Sequence, residues 1–194
     1  MSEVEILETE KLEEERSKPF TRRVALVTAC YAVFLAITSL GGSNAMKEML
    51  LAQQQASDQW GYYQAKALRE HLYQTQRTLM ENEFFERSPS MRPETRQRFE
   101  SLIKKFGEEE TRFREEKKEI EKEARKLENE RDLNRSKDPY FDFAEVLLQI
   151  AIILASISIL AFSKPIFLAS LAAAGLGCFL SFNGFFLVFR FPLF

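Results

Sequence analysis

The chain has 194 residues, 27 Lys/Arg against 29 Asp/Glu, and one histidine, so it is densely charged yet almost neutral. That balance excludes a nucleic-acid binder working through a basic excess, because neutralised phosphates supply most of such affinity. Both cysteines, Cys30 and Cys178, fall inside apolar stretches, where cysteine acts as a small hydrophobe. No thiol is left for a disulfide or zinc site in the charged part.

Residues 1–23 carry seven glutamates against five Lys/Arg and read as an acidic tail, solvated or a frayed amphipathic helix. The first apolar stretch, Val24 to Leu40, reaches the ~20 residues that a ~30 Å bilayer core demands when extended through Gly41 and Gly42. We place a first transmembrane helix at 24–43. Ser43-Asn44-Ala45 loosely fits a signal-cleavage site, but the long glutamate-rich leader is unlike a short basic one, so this is an uncleaved anchor. Ala25, Ala29, Ala32, Ala36 and Ser39 repeat at 4-3-4-3 spacing, a small-residue face suited to close helix packing.

Residues 44–138 form a soluble insertion. From Lys47 to Asp138 there are twenty Lys/Arg and twenty Asp/Glu. Asn44 to Arg87 holds no proline and one glycine among good helix formers. Ser88-Pro89-Ser90-Met91-Arg92-Pro93 then breaks the helix at 88–93, with Pro93 suited to a first turn and Glu94 to the positive dipole end. A second helix is predicted from Glu94 to Lys137, stopped by Asp138-Pro139. The arms are each roughly 65 Å long, so the chain leaves the membrane, turns once and returns: an antiparallel, coiled-coil-like helical hairpin. Phe99, Phe106, Phe113, Ile120 and Leu127 are spaced by seven, while their companion line holds Ile103, Glu110, Lys117, Ala124 and Arg131. The seam is half apolar. The first arm offers Ala52, Ala56, Trp60, Tyr63, Leu68, Leu72 and Leu79, among others. A turn centred near Ser90 places Leu68 near Phe113 and Gly61 near Ile120, within one helical turn.

Tyr140, Phe141 and Phe143 are positioned as interfacial aromatic anchors. The second and third transmembrane helices follow at 144–162 and 166–189, separated only by Ser163-Lys164-Pro165. Ala169, Ala173, Gly177 and Ser181 give the third a small-residue face, and such faces either seal the bundle or join subunits. The fold class is therefore an all-α membrane protein with three transmembrane helices and a long hairpin between the first two. Arg16, Lys18, Arg22, Arg23 and Lys164 favour a cytoplasmic N-terminus with the hairpin on the far side, in the periplasm if the cell is bacterial. Arg125, Lys126, Arg131, Arg135 and Lys137 argue the other way but belong to a loop too long for the rule to bind strongly.

The candidates for function are few. Asp58, Gln59, Trp60, Tyr62, Tyr63 and Lys66 are dense in the residue types that anchor partners. Their plainer role is packing inside or between hairpins. At ~27 Å along the helix from Gly42, Trp60 is too far out for an interfacial belt. Gln149 and Asn183 are intramembrane amides, suited to interhelical hydrogen bonds or, less commonly, to a polar path. His71, the lone histidine, has no partner for a metal site, and no phosphate loop, HExxH pair or nucleophile elbow is present. We expect no catalytic residue, no metal and no cofactor.

The run Ala56-Ser57-Asp58-Gln59-Trp60-Gly61-Tyr62-Tyr63-Gln64-Ala65-Lys66, with Leu147 to Ile152 and Leu154 to Ile157 later, resembles the bacterial DUF4337 family of membrane proteins of unknown function. The resemblance covers the chain from the first to the third apolar stretch and implies a bacterial inner-membrane setting without an activity. The expected partners are the lipid bilayer and either further copies of the chain or a larger membrane complex. The expected role is structural or adaptor, with a subunit of an oligomeric pore as the alternative.

Overall fold

A computed structural model describes residues 3–189, with side chains from Pro19 onward. The side chains of the acidic tail, Arg16 and Lys18 among them, lie outside the described residues, as does the chain beyond Phe189. Among the described residues all regular structure is helical: α1 (Glu3–Arg87), a 3-10 turn (Ser88–Ser90), α2 (Pro93–Leu160) and α3 (Lys164–Phe186). All three helices are long and apolar enough to cross a membrane. The breaker cluster acts as its residues dictate: Met91 is extended, and Pro93 opens α2 with Glu94 in its first turn.

The chain divides into two compact units, one made of residues up to Met49 and from Leu133 onward, the other of Leu50–Asp132. In the first, the bundle unit, α1 turns Val24, Tyr31, Thr38 and Ala45 inward at intervals of seven. From α2 come Ala144, Leu148, Ala151, Ala155 and Ser158, and from α3 Ser170, Ala174, Gly177 and Ser181. Small side chains let backbones approach where lipid gives no hydrophobic drive for association. A Cβ on Gly177 would lie 3.0 Å from Leu148 Cγ and 3.2 Å from the Ala144 carbonyl oxygen. The hydroxyls of Thr38 and Ser181 bond each other at 2.8 Å, tying α1 to α3.

Three sequence expectations need correction in this unit. Asp138-Pro139 does not stop the helix, for Pro139 lies inside α2. An interior proline costs ~3 kcal/mol, and the residues just after it, Tyr140, Phe141 and Ala144, are almost fully buried and hold both sides in place. Tyr140 and Phe141 are consequently not interfacial anchors; of the three aromatics only Phe143 is exposed. Phe141 fills the space that Gly41, Gly42 and Gly184 leave open and meets Phe185 edge-on at 4.9 Å. The third apolar stretch, expected to be helical to residue 189, ends as a helix at Phe186, with Leu187 left-handed at φ 47°. The small-residue faces separate too. Gly177 and Ser181 are buried, whereas Ala25, Ala29, Ala32, Ala36 and Ser39 are all exposed.

In the arm unit, the predicted seam line and its half-polar companion together form the packed face of α2. Phe113 and Glu110 retain only 4% and 3% exposure, and Ala124 and Leu127 are buried. Facing them, α1 contributes Ala52, Ala56, Tyr63, Lys66, Glu70, Tyr73, Arg77 and Phe84, again on two lines of period seven. Contacts include Phe84 with Phe99 (6.4 Å between centroids), Tyr73 with Phe106 (6.1 Å) and Tyr73 stacked on Phe113 (5.5 Å, 17°). Lys66 pairs with Glu116, Trp60 Nε1 donates to Glu128 at 3.0 Å, and Arg131 donates to Gln53 at 3.0 Å. Leu68 is not on this face, though Arg69, one residue on, lies over the Phe113 ring at 5.8 Å.

Candidate functional site

The cluster from Asp58 to Lys66 is split by the helix period. Trp60, Tyr63 and Lys66 turn toward α2, Asp58 and Tyr62 turn outward, and Gln59 is half-buried. Trp60 and Tyr63 pack edge-on at 5.3 Å, with the Arg125 guanidinium 6.0 Å above Trp60 and the Lys117 ammonium 5.6 Å above Tyr63. Cations over aromatic faces gain from the ring quadrupole. The Trp60 hydrogen bond to Glu128 satisfies the one polar atom of that ring. Lys66 also lies 5.2 Å from the Phe113 centroid, beside its ion pair with Glu116. Trp60, Tyr63 and Lys66 therefore carry the plainer packing role.

Next to them lies an ion-pair network that periodicity alone did not single out. Glu70 accepts from Arg114 at 3.0 Å and from Lys117 at 2.5 Å, and Glu110 pairs with Arg77 at 3.0 Å and Arg114 at 2.6 Å. The Lys117 hydrogen bond holds the Glu70 carboxyl below its usual range against the opposing pull of burial, and Arg114 adds to the effect. Lys117 is raised in return, chiefly by its bond to Glu70. Glu116 is lowered by its bond to Lys66. Each of these shifts fixes the charged state, which suits a clamp; an acid or base needs a group poised to change state. The signal for the network was the companion line Glu110-Lys117, whose charges sit where a seam needs partners.

The two amides in the apolar stretches do different things. Asn183 is buried and folds the end of α3 back on itself: its Nδ2 donates to the Phe189 carbonyl at 2.8 Å and its Oδ1 accepts from the Phe189 N–H at 2.9 Å. The Tyr140 hydroxyl donates to that same carbonyl at 3.2 Å, and the Leu187 N–H donates to the Asn183 carbonyl at 2.7 Å. Backbone groups leaving a helix in an apolar setting must be satisfied internally, and Asn183 does this within its own helix end, without bridging to another helix. Gln149 is exposed on the outside of the bundle unit. Among the described residues no group of three or more His, Cys, Asp or Glu is placed to hold a metal ion.

The outward side of the first arm was also missed. Leu68, Leu72 and Leu79 are exposed there, and the alternating four-and-three spacing from Gly61 to Leu79 was the signal available. With the geometry in place, the chain can be compared with known proteins. The model of the family described as "Domain of unknown function (DUF4337)" matches residues 20–187. Neither a curated protein nor a solved structure matches the chain.

Proposed function

The chain belongs to the DUF4337 family, and from that premise we propose that it is a membrane-anchored scaffold that self-associates or docks on a larger membrane complex. Its site is a bacterial inner membrane, with the N-terminus cytoplasmic and the arms periplasmic. Arg22, Arg23 and Lys164 support that orientation through the excess of cations on cytoplasmic loops. The arms make an antiparallel, coiled-coil-like hairpin. Supporting this, partners on α2 rise from Phe99 through Glu116 to Arg131 as those on α1 fall from Phe84 through Lys66 to Gln53. That register lies within about one turn of the one the breaker cluster predicts.

One observation carries the scaffold reading. Of the side chains suited to chemistry or ligand capture, Trp60, Tyr63, Lys66, Glu70 and Glu110 are engaged in joining the two arms, and Asp58, Tyr62 and His71 stay outward. What remains outward is surface, and surface binds macromolecules. The role is thus assembly without catalysis. The test is the mass of the full chain in nanodiscs, corrected for lipid and scaffold. Several copies per particle, or one copy with a co-purifying membrane protein, is the expected result. A lone monomer that captures nothing from its own membrane would overturn the reading.

The pore alternative rests on Gln149, because the Asn183 amide is engaged at Phe189. Gln149→Leu separates the two: a loss of conductance with assembly intact favours a pore, and unchanged conductance leaves the scaffold reading standing.

A further inference from the structure

Resting on that proposed assembly role, we infer that the outward face of α1 in the arm unit is a self-association surface, and that its occupant is a second copy of this chain. Gly61, Ala65, Leu68, Leu72, Thr75 and Leu79 recur at alternating intervals of four and three, and all are exposed. The three leucines keep 62%, 53% and 60% of their surface. That interval places them on one helix line and is the repeat by which two helices pack along each other. Nothing lies within 4 Å of a Cβ built on Gly61, so a second backbone has room to approach there. The stripe belongs to the charged insertion, beyond the apolar stretches that acyl chains cover.

Charge selects the occupant. Of the thirteen exposed positions from 61 to 79, only Arg69 is a Lys, Arg, Asp or Glu. Of the thirteen exposed positions from 108 to 130 on α2, eleven are charged, the exceptions being Thr111 and Asn129. A partner recognised by charge has the α2 side to use. The α1 stripe, flanked by Tyr62, Gln64, Gln76 and Thr78, fits a surface as uncharged as itself, and a second copy supplies one with a single like-charge repeat at Arg69. Anchoring supplies the register. Every copy carries the stripe the same number of residues after its first apolar stretch, so copies inserted the same way bring identical positions level and parallel. At ~27 Å the stripe is under three heptads, short for a free-standing coiled coil. Confinement to one bilayer raises the effective concentration and lets so short a seam pair.

The test uses the full chain in native membranes. Cys30→Ala and Cys178→Ala remove the background thiols, and single Leu68→Cys, Leu72→Cys, Glu119→Cys and Lys122→Cys changes are then oxidised. We expect covalent dimer from the two stripe positions at roughly tenfold the yield of the two α2 positions, because only a held pair keeps like thiols together. Equal yields from both faces, or none from positions 68 and 72, would overturn the assignment. Leu72→Lys adds a second readout: assembled mass should fall while helix content stays constant. Particle mass keeps the two levels apart. Monomeric particles without crosslinks defeat the assembly role itself, whereas oligomeric particles without stripe crosslinks defeat only this surface.

Discussion

Inside the bundle unit Ala144, Ala151, Ala155, Ser170, Ala174 and Gly177 share the contacts with Val24, Tyr31, Phe141 and Leu148, and among the described residues no charged side chain is buried with them. Inside the arm unit Phe113, Tyr73, Phe84 and Phe99 join Ala52, Ala56 and Ala124, with the charged Glu70, Glu110 and Arg77 among them. Both units turn α1 inward at intervals of seven, so the period is common and the side chains differ. The difference matches the solvent that the composition of each unit suits. In lipid, large apolar side chains gain nothing by leaving hydrocarbon, and helices hold together by close backbone approach and local hydrogen bonds. In water, each buried aromatic removes apolar area from solvent, and paired charges keep the remaining surface wet.

The strongest way to break the comparison is to take out the arm's central aromatic. Phe113 is buried, stacked on Tyr73 and flanked by the cations of Lys66, Arg69 and Arg112. Phe113→Ala should destabilise the arm by ~3–5 kcal/mol, the usual loss for a buried phenylalanine. Amide exchange should rise across residues 50–132 and stay unchanged in the bundle. Equal loosening of both units would mean that they unfold as one.

The converse change adds volume where the bundle has none. A Cβ on Gly41 would lie 2.6 Å from Phe185 Cζ and 2.7 Å from Phe141 Cε1. Gly41→Ala should therefore cost ~1–3 kcal/mol, as overpacking does, read as a lower melting temperature in detergent. Gly61→Ala on the arm, with open space around it, should be neutral or slightly stabilising because alanine is the better helix former. Phe141→Leu should restore part of the Gly41→Ala loss by withdrawing the ring. Without that rescue, the glycine would owe its place to something other than Phe141.

How far the sequence could be read follows the same division. The apolar stretches, the turn at 88–93 and the seven-residue line of phenylalanines were legible because each rests on a composition or period that no tertiary contact needs to select. The packing face of α1 in the bundle was not. Ala25-Ala29-Ala32-Ala36-Ser39 could equally have served the bundle or a neighbouring subunit, and it is Val24, Tyr31 and Thr38 that point inward. A hydrophobic helix offers no polar side to orient it, so only the shape of its neighbours decides. Pro139 was misread for a related reason: a local breaker loses to the burial of Tyr140, Phe141 and Ala144. Asn183 looked like an interhelical amide because its true partner, the backbone of Phe189, is hidden until the chain turns back. In the Asp58–Lys66 cluster the residue types were right, but the helix period divides them between seam and surface.

The subtlest expected effect sets the two units against each other by pH. The Glu70 carboxyl is held below its ordinary value by Lys117 and Arg114. Its folded pKa lies below its unfolded one, so its contribution is complete above the unfolded value, ~4.3, and fades as pH falls through the folded value. At the edge of the bundle, Asp138 moves the other way, pushed up by burial and by the nearby Asp142 charge. Its contribution is therefore complete below its unfolded value, ~3.9, and is lost as pH rises through the raised folded value. Acidification from neutral toward pH ~4 should thus favour the Asp138 end first, and the arm should weaken only on going lower. Because the partner cations Arg114 and Lys117 keep 47% and 23% of their side-chain surface in water, the arm's loss should be about 1 kcal/mol. Amide exchange at two pH values, corrected for intrinsic rates, reads both units in one sample. Glu70→Gln should flatten the arm's acid response and Asp138→Asn the bundle's. If either substitution flattened both, the protonation of one unit would be linked to the stability of the other.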